Sequence, residues 1–408
     1  MLVSLLTWLP PGLMMAPMVL LMTERGLTIA EVGAAMAVYS AVSIALELPT
    51  GGLADIAGRR VVLSVSAAFM AAGLSLMVVA DSFVLFAAAA VLNGAARALS
   101  SGPAEAWYVD TLHAAEGPAA DLKPGLSSGY AMQAVALCGG TLVGGIVPLV
   151  VPGGLAVPPG MGAVAAVVLL VVVLFALPEP PHPRGTLGEV LRAVPATVAA
   201  GLRMAAFDAV LRRLMPIAVI FGVALVAVEL LTPVRLAALT GEAETGATAY
   251  AFVAAIGFAG SALGSALAPR IAALLGGSVR GAVAGIVVTA LSLAALAATA
   301  RLGGAAGLVT AGLAYAGMFT GLSINALLRT ELTHLRVTSA ERATMTSVTA
   351  MSLQAGAGLA NLGLASLALA LGTAAAWWLA AALVLASALL FVRLPAVRPA
   401  APEEQPAA

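Results

Sequence analysis

The chain alternates between long apolar runs and short polar intervals. Each run has about the 20 residues that an α-helix needs to cross a hydrocarbon core of roughly 30 Å. Pro10, Pro11 and Pro17 interrupt the first run, and Pro148 and Pro152 flank the end of the fifth. Membrane helices tolerate such breaks when neighbouring groups satisfy the freed backbone. We count twelve runs, near 2–22, 29–50, 61–79, 83–111, 126–151, 154–177, 214–238, 246–272, 280–300, 304–327, 342–370 and 373–393.

The composition indicates that lipid is the solvent of this chain. Of 408 residues, 62% are hydrophobic and 9% are charged, with a mean hydropathy of +1.07, whereas soluble domains are roughly 45–50% apolar and about 25% charged. The 19 basic and 19 acidic residues leave no basic excess for nucleic acid, and one cysteine, Cys138, excludes a disulfide framework. We therefore expect an all-α, multi-pass protein of the cell inner (plasma) membrane.

The runs divide six and six around the longest polar interval, 178–213, which is rich in proline and arginine. We predict a cytoplasmic linker there, between a six-helix bundle over 1–177 and a second over 214–394, with a disordered tail over 395–408. Apolar residues at near-helical spacing predict an amphipathic helix on the membrane surface over 187–211, with a solvated linker as the alternative.

Basic residues predict the orientation. If both termini are cytoplasmic, the outer loops carry only Arg25, Arg235 and Arg301, and Arg97 lies within a span. All other basic residues, Arg329 among them, then fall in cytoplasmic loops, as the positive-inside rule requires. The first run lacks a basic leader and a clean cleavage site, so we expect it to be retained. The missing leader is also consistent with a start codon further upstream.

Four pairs of glycines have a spacing of four residues, which places both members on one helix face. This spacing predicts close helix–helix packing, and the alternative is a smooth face along which helices slide. The pairs are Gly140/Gly144, Gly260/Gly264, Gly281/Gly285 and Gly317/Gly321.

A distinctive polar segment follows the second run: Gly51-Gly52-Leu53-Ala54-Asp55-Ile56-Ala57-Gly58-Arg59-Arg60. Its glycines permit tight turning, and its acid can pair with the arginines or with the positive end of a helix. The segment resembles the signature loop of the major facilitator superfamily, Gly-x-Leu-Ala-Asp-x-x-Gly-Arg-Arg/Lys, although Ile56 stands where the family often has a basic residue. The resemblance implies a latch between the two halves on the cytoplasmic side, whereas a static loop is the alternative. The matching residues are Gly51, Leu53, Asp55, Gly58, Arg59 and Arg60.

Two more segments extend the resemblance over both halves. Residues 47–51 and 97–110 are similar to a bacterial branch of the superfamily, and Glu341-Arg342-Ala343-Thr344 is similar to the start of its eleventh helix. Thr338-x-x-Glu341 fits a capping box, and Glu341 and Arg342 are gate candidates. The resemblance implies two six-helix bundles related by a pseudo-two-fold axis. The fifth helix lacks the Gly-Pro dipeptide that is typical of drug/proton antiporters.

Charged residues within the runs are functional candidates, because a charge at mid-bilayer costs at least about 2.5–3.5 kcal/mol. Glu47 and Arg97 lie at comparable depth and could form an ion pair, Glu105 lies near the cytoplasmic edge, and Glu229 has no obvious partner in its own helix. A carboxylate that moves between wet and dry surroundings can take up and release a proton. The uncharged candidates for a substrate cavity, with interhelical hydrogen bonding as the alternative, are Gln133, Asn325, Gln354 and Asn361.

The sequence contains no catalytic set, metal-ligand spacing or phosphate-binding loop. We therefore expect no enzymatic activity, cofactor or metal. The predicted function is secondary active transport by alternating access, as a proton-coupled antiporter that exports small organic compounds. We expect a monomer whose partners are a small-molecule substrate, protons and the lipid bilayer. The alternatives are a nutrient or metabolite importer of the same fold, or a membrane ligand sensor that does not transport.

Overall fold

The computed structural model describes residues 1–117, 120–151, 154–178, 188, 196, 199, 201–338, 341–392 and 394. Within these residues, every long regular element is a helix and no strand occurs. The helices are α1 Leu2–Met15, α2 Met18–Glu24, α3 Ile29–Ala57, α4 Arg59–Val79, α5 Phe83–Ser100, α6 Pro103–Glu116, α7 Lys123–Val150, α8 Val157–Ala176, α9 Leu211–Thr240, α10 Ala243–Leu275, α11 Ser278–Ala298, α12 Gly304–His334, α13 Arg342–Leu371 and α14 Thr373–Ser387.

The count of membrane crossings agrees with the twelve predicted runs. In the part of the chain that the structure describes, eleven helices are long and apolar enough to span a membrane, with α5 and α6 forming one of them, and the bent pair α1 and α2 raises the number to 12. The bend between α1 and α2 is 45°. It falls at Ala16 and Pro17, whereas Pro10 and Pro11 lie within α1. The chain is therefore an all-α membrane protein whose first span is broken.

The described residues form two compact units. Unit 1 comprises Met1–Pro195 and Glu229–Ala255, and unit 2 comprises Ala196–Val228 and Ile256–Ala408. Helices α9 and α10 therefore each contribute to both units. The predicted boundary at 178–213 stays a prediction. Of the helix expected over 187–211, the structure describes residues 188, 196, 199 and 201–211, and 201–207 are helical. The tail 395–408 lies wholly outside the described residues.

Unit 1 is held together by helix pairs in which glycine removes the barrier to close approach. A Cβ atom on Gly140 would lie 3.0 Å from the Cα of Gly12, and one on Gly144 would meet the Leu13 backbone. Helix α7 therefore packs directly on the backbone of α1, as the glycine spacing predicts. A small apolar cluster of Leu20, Leu21, Leu155 and Ala247 joins α2, the turn before α8, and α10.

Glycines also allow close helix packing in unit 2. A Cβ atom on Gly285 would lie 2.6 Å from the carbonyl oxygen of Gly321, so α11 and α12 are in backbone contact. Buried side chains then tie other helices to α9. Trp377 donates from Nε1 to the backbone carbonyl of Ala227 at 2.7 Å. The hydroxyl of Tyr315 donates to the backbone carbonyl of Val228 at 3.1 Å.

The outer surface of the helices is apolar. Phe175 is 85% exposed and Val150 is 72% exposed, and many other large apolar side chains of the spans are also exposed. Exposed apolar area on this scale would aggregate in water, but it is the natural boundary with hydrocarbon. The membrane assignment therefore agrees with packing as well as with composition.

Candidate functional site

A side-chain hydrogen bond connects α3 with α5 inside unit 1. Ser43, one helical turn after Tyr39 on α3, donates to the carbonyl of Gly94 at 3.1 Å. Gly94 allows α3 and α5 to approach this closely, because a Cβ atom at that position would lie 2.7 Å from the carbonyl of Tyr39. Tyr39, Ser43 and Glu47 follow each other at four-residue intervals and thus share one helix face.

Two of the intramembrane candidates lie next to this face, each with a partner of its own. Glu47 accepts a hydrogen bond from the hydroxyl of Ser101 at 2.7 Å. The guanidinium carbon of Arg97 lies 5.1 Å from the ring centroid of Trp8, which is a cation–π contact. Both charges are close enough to the Tyr39 hydroxyl to act on it electrostatically. The structure therefore gives Glu47 and Arg97 separate contacts, with Ser101 and with Trp8, and the ion pair between them stays a prediction.

Glu105 belongs to a second polar contact, between α6 and α7. The hydroxyl of Tyr130 lies within electrostatic reach of Glu105, and both side chains are exposed. Gly125 on α7 leaves room for the ring of Tyr108, which a Cβ atom there would overlap. Gln133, one turn after Tyr130 on α7, is partly buried. Glu105 and the rings of Tyr108 and Tyr130 thus lie at the contact between α6 and α7.

Glu229 lies in α9, about 27 Å along the helix from Leu211 at 1.5 Å per residue. It is the first residue of the segment that belongs to unit 1. Its side chain is solvent-accessible, and its carboxylate forms no hydrogen bond or ion pair with any residue that the structure describes. It also acts electrostatically on the Tyr39 hydroxyl. The four intramembrane candidates, Glu47, Arg97, Glu105 and Glu229, therefore all belong to unit 1.

The glycine-rich segment with Asp55 does not form a loop over its full length. Helix α3 continues to Ala57, and Gly58, at φ 91°, separates it from α4. Arg59 forms an ion pair with Asp110 at 3.1 Å, and Arg60 donates to the carbonyl of Leu174. Leu53 packs on a small cluster around Ala54, Val62 and Leu99. The surroundings of Gly51 and the side chain of Asp55 lie outside the described part of the chain.

The uncharged candidates of unit 2 differ in burial. Asn325 is fully buried and donates from Nδ2 to the carbonyl of Ala282 on α11 at 3.1 Å, which is the interhelical hydrogen bond that the sequence left as an alternative. On α13, Asn361 is buried, whereas Gln354 and Ser347 are partly exposed. These two accessible residues are the better candidates for contact with a solute.

The start of α13 and the start of α9 are each fixed by a carboxylate. Glu341 accepts from the amide and the hydroxyl of Thr338, both at 3.0 Å, while Arg342 is exposed. Asp208 accepts from the amides of Val210 and Leu211 and forms an ion pair with Arg336 at 2.6 Å. Burial raises the pKa of Asp208, but these hydrogen bonds outweigh burial, so its pKa lies below the ordinary value.

Sequence reasoning passed over several of these residues. Tyr39 and Ser43 could have been found from their spacing relative to Glu47. Trp8 and Tyr130 gave no local signal, since an aromatic residue in an apolar run is ordinary. Arg329 was expected in a loop, but it lies within α12 and is only 5% exposed.

The fold and the segment around Gly58 define a class of membrane transport protein. The sequence model described as the Major Facilitator Superfamily matches residues 1–335. The chain belongs to this superfamily. Among curated proteins, none matches the sequence.

Solved structures share the fold at low sequence identity. The nucleoside transporter NupG is 13% identical, with a TM-score of 0.78 over 96% of this chain and 97% of that one. A POT family transporter in complex with a thioalcohol-conjugated peptide is 13% identical, with a TM-score of 0.72 over 96% and 94%. A D-xylose-proton symporter is 13% identical, with a TM-score of 0.70 over 97% and 96%. The chain thus shares the fold of these solved structures.

Proposed function

We propose that this chain is a secondary active transporter that exports a small organic solute by alternating access in exchange for protons. Its family supports transport of a small molecule. We further propose that it works as a monomer in the inner (plasma) membrane, with both termini in the cytoplasm and with the bundles 1–177 and 214–394 as its halves. The proposal of proton coupling rests chiefly on Glu229.

Glu229 supports coupling through its surroundings. An ionised carboxylate without a hydrogen-bond partner is costly in a membrane span, and protonation removes that cost. Water, a cation or a nearby positive charge favours the ionised form instead. Because Glu229, Glu47 and Arg97 all act on the Tyr39 hydroxyl, a change of charge at any of them alters the electrostatic potential at that hydroxyl. Such coupling is what allows a proton to drive the movement of a solute.

The proposal also includes the direction in which the solute is transported. The intramembrane candidates of unit 1 are three carboxylates and one arginine, a sparse set that suits organic compounds of low anionic charge. The similarity to a D-xylose-proton symporter favours a second candidate, uptake of a nutrient together with protons. The two candidates differ in the sign of their response to a pH gradient.

Flux into proteoliposomes that contain a trapped pH-sensitive dye tests the proposal. The probes are nucleosides, dipeptides, D-xylose and aromatic amines, the first three chosen because they match the names of the similar structures. An exchanger accumulates solute when the lumen is acidic, whereas a symporter accumulates it when the outside is acidic. Binding of a probe without flux under either gradient would instead support a sensor and contradict transport.

A pair of variants isolates the role of Glu229. Glu229→Gln keeps the size of the side chain and removes its charge, so we expect solute flux to lose its dependence on the pH gradient. Glu242→Gln is the matched control, because Glu242 is exposed in the turn after α9 and belongs to the same segment of unit 1. If both variants respond to pH as the unaltered protein does, Glu229 is not the coupling site.

A further inference from the structure

Unit 2 contains a buried positive charge that its surroundings leave unsatisfied. Arg329 is 5% exposed, and neither its Nε nor its Nη1 atom has a hydrogen-bond partner. No carboxylate in the described part of the chain pairs with it. Removing a guanidinium from water without a partner costs several kcal/mol, so a bare Arg329 would be a large defect in an otherwise well-packed helix pair.

A second orphaned atom lies one helical turn away. The Oδ1 atom of Asn325 is buried without a partner, although the Nδ2 atom of the same amide donates to Ala282. Residues four apart on a helix lie on one face, so Asn325 and Arg329 belong to the same side of α12. Buried polar atoms without partners are rare in native structures and indicate a missing water or ion.

The acids at this end of unit 2 already have other partners. Asp208 is held by Arg336 and by two backbone amides. Glu331 accepts from Ser278 at 2.9 Å, and Glu341 accepts from Thr338. The counter-charge for Arg329 must therefore come from outside this set of side chains.

The position of Arg329 suggests where that counter-charge comes from. Arg329 lies about 38 Å along α12 from Gly304, which exceeds a hydrocarbon thickness of roughly 30 Å. It is thus near the end of α12 that the sequence predicts to be cytoplasmic. Further basic residues there, at the starts of α9, α11 and α13, create a positive potential that attracts anions. They are Arg212, Arg213, Arg280 and Arg342.

We propose that Arg329, with Asn325 beside it, is a binding site for a phosphate-type oxyanion. The planar guanidinium matches the geometry of a phosphate group better than that of a halide, because two parallel N–H groups can each meet an oxygen. A protonated phosphate oxygen also supplies a donor for the Oδ1 atom of Asn325. The source of this chemistry is either free phosphate from the cytoplasm or the headgroup of an anionic lipid.

The test uses the purified, full-length protein in nonionic detergent and Tris chloride buffer, which contain no oxyanion. The unfolding midpoint is followed by tryptophan fluorescence while sodium phosphate replaces sodium chloride at constant ionic strength. A second arm compares nanodiscs of phosphatidylcholine with and without phosphatidic acid. We expect an upward shift of several degrees, since a ligand of the folded state raises the midpoint. A shift with free phosphate identifies a soluble source, and a shift confined to phosphatidic acid identifies a lipid source.

Variants separate this site from general charge effects. Arg329→Gln should abolish the shift, and Arg329→Lys, which keeps the charge but loses the planar fork, should weaken the apparent affinity by about tenfold or more, the loss of one charge-assisted hydrogen bond. Arg342→Gln is the matched control, because Arg342 is an exposed arginine at the start of α13, and it should respond as the unaltered protein does. Without oxyanion, Arg329→Gln should be at least as stable as the unaltered protein, because it removes an unpaired charge.

Two results would overturn the proposal. One is the absence of any shift of the unaltered protein in both arms. The other is an equal shift of the unaltered protein and Arg329→Gln, which would show that the anion acts elsewhere. The first result is read on the unaltered protein, so it does not depend on whether a variant folds.

Discussion

Replacing Asp208 separates a helix cap from an ion pair. One carboxylate oxygen of Asp208 accepts from the amides of Val210 and Leu211 at 2.8 and 2.9 Å. The other accepts from Nε and Nη2 of Arg336 at 3.2 and 2.6 Å. Asparagine caps helices about as well as aspartate does but carries no charge, so Asp208→Asn removes only the ion pair. Asp208→Ala removes both interactions.

The sizes of the two losses follow from exposure and geometry. Loss of an N-cap costs about 1 kcal/mol, within a range of roughly 0.5–2. The ion pair is mostly shielded, with side-chain exposures of 28% for Arg336 and 18% for Asp208, and charge-assisted hydrogen bonds of this kind contribute about 1.5 kcal/mol at the low end of their range. We therefore expect Asp208→Asn to lower the free energy of unfolding by about 1.5 kcal/mol and Asp208→Ala by about 2.5 kcal/mol.

Unfolding by sodium dodecyl sulfate in mixed micelles measures both losses, and Arg336→Gln completes a double-mutant cycle. Because the pKa of Asp208 is lowered in the folded protein, its contribution is complete above the ordinary aspartate pKa of about 3.9 and is lost as the pH falls through the lowered folded value. The difference between the unaltered protein and Asp208→Asn should therefore disappear in acid. Equal losses for Asn and Ala would refute the assignment of a separate ion pair, as would a difference that persists at low pH.

Three further substitutions test packing and backbone geometry. Gly145→Val places a side chain against α10, where even a Cβ atom would lie 2.8 Å from the carbonyl of Ala247, so we expect a slower transport rate. Gly139→Val on the same helix is the control, because a Cβ atom there has nothing within 4 Å, and its transport rate should be near normal. Gly58→Ala forces a side chain onto a backbone with φ 91° and should lower the unfolding free energy by about 1–2 kcal/mol, measured in the same micelles. Trp377→Phe removes the hydrogen bond to helix α9 and should lower the unfolding free energy by about 1–3 kcal/mol. An unchanged unfolding free energy in Gly58→Ala would contradict the backbone geometry at Gly58, and one in Trp377→Phe would contradict the hydrogen bond.

Features that depend on local pattern could be predicted from the sequence. Hydropathy is a property of a short window, so the crossings followed directly from the apolar runs, and the turn at Gly58 followed from the glycine beside Arg59. The bend in the first span was also expected from its prolines. Its position at Pro17 could not be chosen from the pattern, because Pro10 and Pro11 are equally strong breakers yet lie inside α1.

Features that depend on distant partners could not be predicted. Asp208 and Arg336 are 128 residues apart, and no local pattern joins them. The helices also run further than their apolar runs: α12 has 31 residues and ends at His334, whereas the run suggested an end near 327. Arg329 therefore lies inside a helix and is buried, although its charge placed it in a loop on sequence grounds.

The central claim is that solute and protons move in one coupled exchange. The most direct measurement holds the membrane potential of proteoliposomes at zero, fixes a pH difference and finds the solute gradient at which net flux stops. For one-to-one exchange of a neutral solute, this gradient should change about tenfold per pH unit, with solute concentrated on the acidic side. A solute gradient that stays at unity for every pH difference, or one that concentrates solute on the alkaline side, would contradict the account.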